Sequence, residues 1–281
     1  MTARPGDVAR VAVEAVPAGQ DAGQDAGPGA RQGYTAALRR AREAGYPAGE
    51  FAGQESFMLA SEILDLARAA GVGRGTRVLD LCCGVAGPGR LVTRTLGCDY
   101  LGVDRSPSAV EVARELSAGL PCRFEVGEVP AVPAGTFDVV LLLETILAFP
   151  DKDAVFRAVA RALARGGRFA LTVEEGAPLT AAEGAAMPDA GTVHLVRQHD
   201  LVAGLARAGL DVAVLEDHSA AHLATVTSLH DSYAADADAI SAQVGRRTLD
   251  DLLASHALWR DWLAAGRVRK LAVVAARRPT T

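Results

Sequence analysis

Two aspartates and a run of glycines carry the sharpest chemistry in this sequence. Asp80 sits in the apolar stretch Arg77–Leu81, directly ahead of Cys82-Cys83-Gly84-Val85-Ala86-Gly87-Pro88-Gly89, and Arg90 to Leu96 follow with helical spacing. A strand that runs through a glycine turn into a helix offers free amide N–H groups, and the missing side chains let a nucleotide-like ligand approach the backbone. A carboxylate at Asp80 would repel a pyrophosphate and attract a cationic amine or sulfonium. Asp104 closes the next apolar stretch, Tyr100–Val103, twenty residues after Gly84. An acid at that distance can hold the two hydroxyls of an adenosine ribose.

Carboxylates recur at the ends of later strands. Phe137–Leu143 is almost wholly apolar, as a strand buried on both faces should be, and Glu144 follows it. Arg168–Val173 is the next such stretch and delivers Glu174 and Glu175. Ligands in open α/β sheets bind outside the carboxyl ends of the strands, so Glu144 belongs to the floor of a site. The chain has six histidines, at 194, 199, 218, 222, 230 and 256. His230, beside Asp231 and near Tyr233, leads them as a proton acceptor near neutral pH. Trp259, Trp262, Phe57 and Tyr46 suit either an aromatic wall around a ligand or ordinary core packing.

The glycines stand as Gly84-x-x-Gly87-x-Gly89 and not as G-x-G-x-x-G, which argues against a nicotinamide dinucleotide. Asp80, Gly84 and the Ala86-Gly87 pair fall on the first motif of the class I S-adenosylmethionine-dependent methyltransferases, which this stretch resembles. The Gly87-Pro88 form is similar to that of members acting on sterols, tocopherols, glycine derivatives and antibiotic sugars. Cys82 stands where a glycine is usual and Ala86 where a later one is common, so Cys82 must accept the backbone angles of the turn. The resemblance covers roughly residues 50 to 215 plus the last strand.

It implies an α/β, Rossmann-like fold with a seven-stranded, mostly parallel sheet in the order 3-2-1-4-5-7-6 and an antiparallel last strand. It also implies S-adenosyl-L-methionine as cofactor and S-adenosyl-L-homocysteine as product. The cofactor-binding residues it points to are Gln54, Asp80, Cys82, Gly84, Gly87, Asp104, Arg105, Glu128, Val129 and Glu144. Glu128 would meet the adenine amino group, and Gln54 would close the methionine end. Methyl transfer is an in-line displacement in which alignment alone supplies roughly 7–11 kcal/mol, with a base needed only for some acceptors. Glu144, Glu174 and His230 are the candidate catalytic groups. The competing expectation is a protein that binds the same cofactor without transferring its methyl, as a rearrangement catalyst or an accessory module.

The elements that must position these residues follow from pattern. Residues 1–32 are rich in Ala, Gly, Gln and Asp and read as a disordered tail. Residues 33–72 read as cap helices, 73–219 with 266–281 as the cofactor-binding core, and 220–265 as a helical lid inserted before the last strand. Among the 281 residues, 49% are apolar, and the net charge of −5 comes with no basic tract, which argues against nucleic acid. No apolar run is long enough for a membrane span and no signal core opens the chain, so a cytoplasmic protein is expected. Neither a metal nor a disulfide framework is expected from four cysteines without a C-x-x-C and histidine pattern. A small-molecule partner, such as a specialised metabolite, follows from the enclosed lid, and a homodimer is left open.

Overall fold

The computed structural model describes residues 35–133 and 136–279. The expected tail, residues 1–32, lies outside the described residues. Seven strands form one sheet in the order β3-β2-β1-β4-β5-β7-β6. They are β1 (Arg77–Leu81), β2 (Asp99–Asp104), β3 (Cys122–Val126), β4 (Phe137–Leu142), β5 (Leu163–Glu175), β6 (Leu210–Asp217) and β7 (Arg269–Arg277). β1 to β5 pair in parallel, whereas β7 runs antiparallel to both β5 and β6.

The central strands β1, β4, β5 and β7 are buried on both faces because they carry runs of apolar residues, which alternation sorts between the two faces. Leu79, Val140, Leu142, Phe169, Leu171 and Leu271 share one core with helices α5 (Lys152–Ala162) and α7 (Gln198–Arg207). Val78, Val139, Leu141, Ala170 and Val274 share the other with α2 (Ala60–Ala69), α3 (Gly87–Leu96) and α4 (Pro107–Leu116). The helix starts follow local chemistry. Ser106 caps α4 by accepting from the Ala109 N–H, ahead of Pro107. Thr180 and Glu183 form a capping box on α6 (Ala181–Ala186).

One boundary differs from expectation. α5 ends at Ala162, and Leu163 already has extended angles, so the strand begins before the apolar stretch that opens at Arg168. Phe137 of β4 pairs with Leu163 and Val139 with Arg168, a register shift that absorbs the extra residues as an irregularity in the strand.

Between β6 and β7 stand α8 (Ser219–Ala235), α9 (Ala237–Val244) and α10 (Arg246–Ala264). With α1 (Ala36–Ala44) they enclose a separate core of Leu38, Tyr46, Leu229, Tyr233, Ile240 and Leu249. The N-terminal helix and the insertion are therefore one layer over the carboxyl edge of the sheet. Arg42 pins it: its guanidinium donates to the Tyr233 hydroxyl at 2.8 Å, the Gln54 carbonyl at 3.0 Å and the Ser56 carbonyl at 2.9 Å.

Candidate functional site

The glycine turn sits where β1 meets α3. Cys82 (φ 59°) and Ala86 (φ 57°) both adopt the left-handed conformation that favours glycine, so the two departures from the motif carry local strain of about 1–2 kcal/mol each. The three glycines do different work. A Cβ on Gly84 would meet open space. One on Gly87 would collide with the Gly53 carbonyl, and one on Gly89 with the Tyr100 ring. Only Gly84 is thus open to a ligand, and Gly87 is bare because the segment before α2 lies across it.

Asp104 organises the same turn. Its Oδ2 accepts from the Gly84 N–H at 2.8 Å and its Oδ1 from the Ser106 N–H at 2.9 Å. Asp80 is buried beneath, with its Oδ2 accepting from the Tyr100 hydroxyl at 2.5 Å. Burial pushes the Asp80 carboxyl up to about 7, the Asp104 charge adds to the rise, and the Tyr100 hydrogen bond opposes it. Arg105 is exposed beyond Asp104, Glu128 is exposed after β3, and Val129 is buried beside it. The Gly127 N–H donates to the Asp104 carbonyl, which holds that loop at the same corner. Cys82 is partly buried, and all four cysteines are free.

Gln54 does not face outward. Its Oε1 accepts from Ala52 N–H, and its Nε2 donates to the Glu50 and Met58 carbonyls, both at 2.8 Å. The sequence suggested a hydrogen bond to a ligand; the amide is spent on shaping its own loop.

A second cluster lies at the ends of β4, β5 and β7. Glu144 follows β4 with a left-handed backbone (φ 60°), and its N–H donates to Thr172 Oγ1 at 2.7 Å while Oε1 accepts from that hydroxyl at 2.8 Å. Lys270, buried in β7, ion-pairs with Glu144 Oε1 and with Glu174 Oε1, the latter at 2.7 Å. His222 of α8 brings Nε2 to 3.9 Å from Glu174 Oε1. Phe57 packs edge-on to His222 and to His256, with ring centroids 4.8 and 5.1 Å away. Its N–H donates to Glu144 Oε2 at 3.5 Å.

The charges here settle one another. Burial raises the Glu174 carboxyl against the pull of Lys270, with the Glu144 charge adding to the rise. Burial would raise Glu144 too, but the Lys270 ammonium outweighs it and holds the group low. Burial keeps the His222 imidazole neutral, with its pKa down to about 3. Glu144, Glu174 and His222 offer atoms within 4.8 Å of one another, a spacing that could hold a metal ion. The Lys270 ammonium already bridges the two carboxylates and serves as their cation.

His230, the leading histidine of the sequence reading, stands away from this cluster: it is half-exposed and its Nδ1 lies 3.2 Å from Asp231 of the same helix. His222, two turns earlier on α8, takes the inward place. Lys270 carries no signal in the sequence, because a lysine opening a β-strand reads as an ordinary edge residue. Only the antiparallel pairing of Glu174 with Lys270 brings its ammonium between the two glutamates.

Residues 73–195 match the model of a family described as a methyltransferase domain. Among curated relatives, the chain is 33% identical over 163 residues to a ubiquinone biosynthesis O-methyltransferase of Xanthomonas axonopodis, covering 52% of this chain and 65% of that protein. It is 35% identical over 102 residues to phosphoethanolamine N-methyltransferase 3 of Arabidopsis thaliana, covering 35% of this chain and 21% of that one. The chain thus spans about a fifth of the latter's length. Among solved structures, the phosphoethanolamine N-methyltransferase 2 of Haemonchus contortus in complex with S-adenosyl-L-methionine superposes with a TM-score of 0.70 at 20% identity, over 86% of this chain and 56% of that one. The [4+2]-cyclase SpnF superposes with a TM-score of 0.68 at 19% identity, over 87% and 92%. At those identities the two structures speak for the fold.

Proposed function

We propose that this chain, whose residues 73–195 match the model of a methyltransferase domain, transfers a methyl group from S-adenosyl-L-methionine to a small-molecule acceptor. The observation that carries the reading is the corner at Asp80, Gly84 and Asp104. It has a buried carboxylate, an open glycine, and an acid braced by two backbone N–H groups. These residues fit the cofactor. Asp104 would take the ribose hydroxyls, Asp80 would face the cationic methionine end, and Glu128 and Val129 would border the adenine. Cys82 and Arg105 would flank the turn.

When bound, the cofactor supplies an electrophilic methyl on a sulfonium. The protein's own task is alignment and exclusion of water. Glu144, on its strained backbone, and Phe57 define the floor and wall next to that corner, beneath the α8–α10 layer. The small-molecule reading rests on that layer over the site and on relatives whose names denote phosphoethanolamine and ubiquinone-pathway substrates. No helix among the described residues is long and apolar enough to cross a membrane. The reading extends to a cytoplasmic protein, with size-exclusion chromatography deciding between monomer and homodimer.

Isothermal titration with S-adenosyl-L-methionine and S-adenosyl-L-homocysteine, beside Asp104→Ala, tests it. Binding that the substitution removes supports the reading, and a wild-type protein that binds neither compound sinks it. The cyclase neighbour motivates one alternative, a bound cofactor that keeps its methyl. Substrate turnover without release of S-adenosyl-L-homocysteine would favour that alternative.

A further inference from the structure

Beneath α8 and α10, buried polar atoms at the ends of the strands are left without hydrogen-bond partners. Among the described residues, Glu174 Oε2, His222 Nε2 and His256 Nε2 are buried without a hydrogen-bond partner. All three gather around Phe57 and Glu144: His222 and His256 flank the Phe57 ring, and His222 reaches Glu174. His256 has its tautomer fixed, because Nδ1 lies 2.8 Å from the Leu252 carbonyl and must carry the proton, leaving a bare lone pair on Nε2. His222 presents a lone pair in the same way when its proton sits on Nδ1. The buried donors left unpartnered, Ser117 Oγ and Arg267 Nη1, lie elsewhere, at the end of α4 and beside Glu183.

Leaving such atoms unpaired costs about 1–3 kcal/mol each. The site is therefore shaped for a molecule that brings N–H or O–H groups. Charge narrows the choice. With Glu174 ionised, two carboxylates, one ammonium and a neutral imidazole leave the cluster one negative charge in excess. Lys152, a further cation that feels the Glu174 charge, is spent on the carbonyls of Phe149 and His194. An anionic group would meet Glu174 as a like charge, and a hydroxyl has one hydrogen for two acceptors. A nitrogen has hydrogens for both and, as an ammonium, the charge that the cluster lacks.

We propose that the acceptor is an amine whose nitrogen is held by Glu174 Oε2 and His222 Nε2, with Glu174 taking the proton that the nitrogen gives up. The assignment rests on the methyltransferase reading and names the acceptor class for the same site. The ammonium proton passes to Glu174 Oε2, and the freed lone pair forms the new bond to the methyl carbon. The sulfur–carbon bond breaks with its electron pair left on sulfur. Lys270 is a positioning residue: it anchors Oε1 of both glutamates and leaves Glu174 Oε2 free to turn toward the ligand.

The test uses the full-length protein labelled with 15N-histidine, titrated with n-butylammonium, butanol and butyrate, each with and without S-adenosyl-L-homocysteine. His222→Gln and His256→Gln assign the ring signals. Butylammonium should move the His222 Nε2 signal toward that of a hydrogen-bonded acceptor nitrogen, and butyrate should not. Glu174→Gln, close to isosteric and checked for its fold by thermal melting, should weaken butylammonium binding by about tenfold, as loss of one charge-assisted hydrogen bond implies. A response to butyrate or butanol equal to that to butylammonium overturns the proposal, as does a silent His222 signal or an affinity unchanged in Glu174→Gln. Butylammonium binding in a protein that ignores S-adenosyl-L-homocysteine would sink the methyltransferase reading instead and leave the amine site standing.

Discussion

Asp80 pits stability against ligand binding in a single side chain. Its carboxyl titrates near 7 in the folded protein against an ordinary value near 3.8. The native state thus holds the proton more tightly than the unfolded chain. The stability that this confers is complete below about pH 4 and is lost as pH rises through 7. Asp80→Asn should therefore melt higher than wild type at pH 8, with a ceiling of about 4 kcal/mol at 1.36 kcal/mol per pKa unit. The same protein should lose S-adenosyl-L-methionine binding in a titration, since a neutral amide offers the cation no charge. In the wild type, affinity for that cation should hold level above pH 7 and fall as pH drops below it, by at most about tenfold per pH unit. Lys270 is the opposite case, a charge that its surroundings require. Lys270→Met leaves two carboxylates buried without a cation and should cost about 3–5 kcal/mol in urea unfolding. Adding Glu144→Gln and Glu174→Gln should recover most of it.

At the scale of elements, the critical joint is the loop between α1 and α2. It crosses Gly87, carries Phe57 into the second cluster, and is tied to α1 and α8 by the buried Arg42 guanidinium. Arg42→Met keeps the side-chain volume but leaves the Tyr233 hydroxyl and two carbonyls with less than their share of hydrogen bonds. A loss of about 1–3 kcal/mol is expected. Hydrogen exchange should speed up in residues 51–59 and in α8 while β1 and β4 stay protected; uniform loosening of the sheet would contradict that joint. This loop was the part least readable in advance. Gln54 stands out in sequence as a polar side chain near a ligand. Its amide bonds the loop's own backbone instead, and Arg42 holds the Gln54 and Ser56 carbonyls, an arrangement chosen by how α1 folds back.

For the whole molecule, one sheet supports two clusters that share a wall: the Asp80–Asp104 corner, and the Glu144–Lys270–Glu174–His222 group beneath the inserted helices. A ligand that binds only the folded form stabilises all of it. S-adenosyl-L-homocysteine at a hundred times its dissociation constant should contribute about 2.7 kcal/mol. That is a rise in melting temperature of about 5–10 °C for a chain of this size. Differential scanning fluorimetry checks it, and no shift at saturating ligand would count against the cofactor site.

The division between sequence and tertiary structure follows from the range of the forces involved. Strand identity, helix caps and the Asp80-to-Asp104 spacing are set by local burial patterns and short hydrogen bonds, so the sequence alone determined the sheet, its glycine turn and the two aspartates flanking it. Which histidine faces inward, and that Lys270 sits between two glutamates, depend on how α8 rotates on the sheet and on the register of an antiparallel pair. The Lys270–Glu174 pair joins residues 96 positions apart in the chain. Only packing decides such contacts, because a lone lysine or histidine has no local partner to reveal its place.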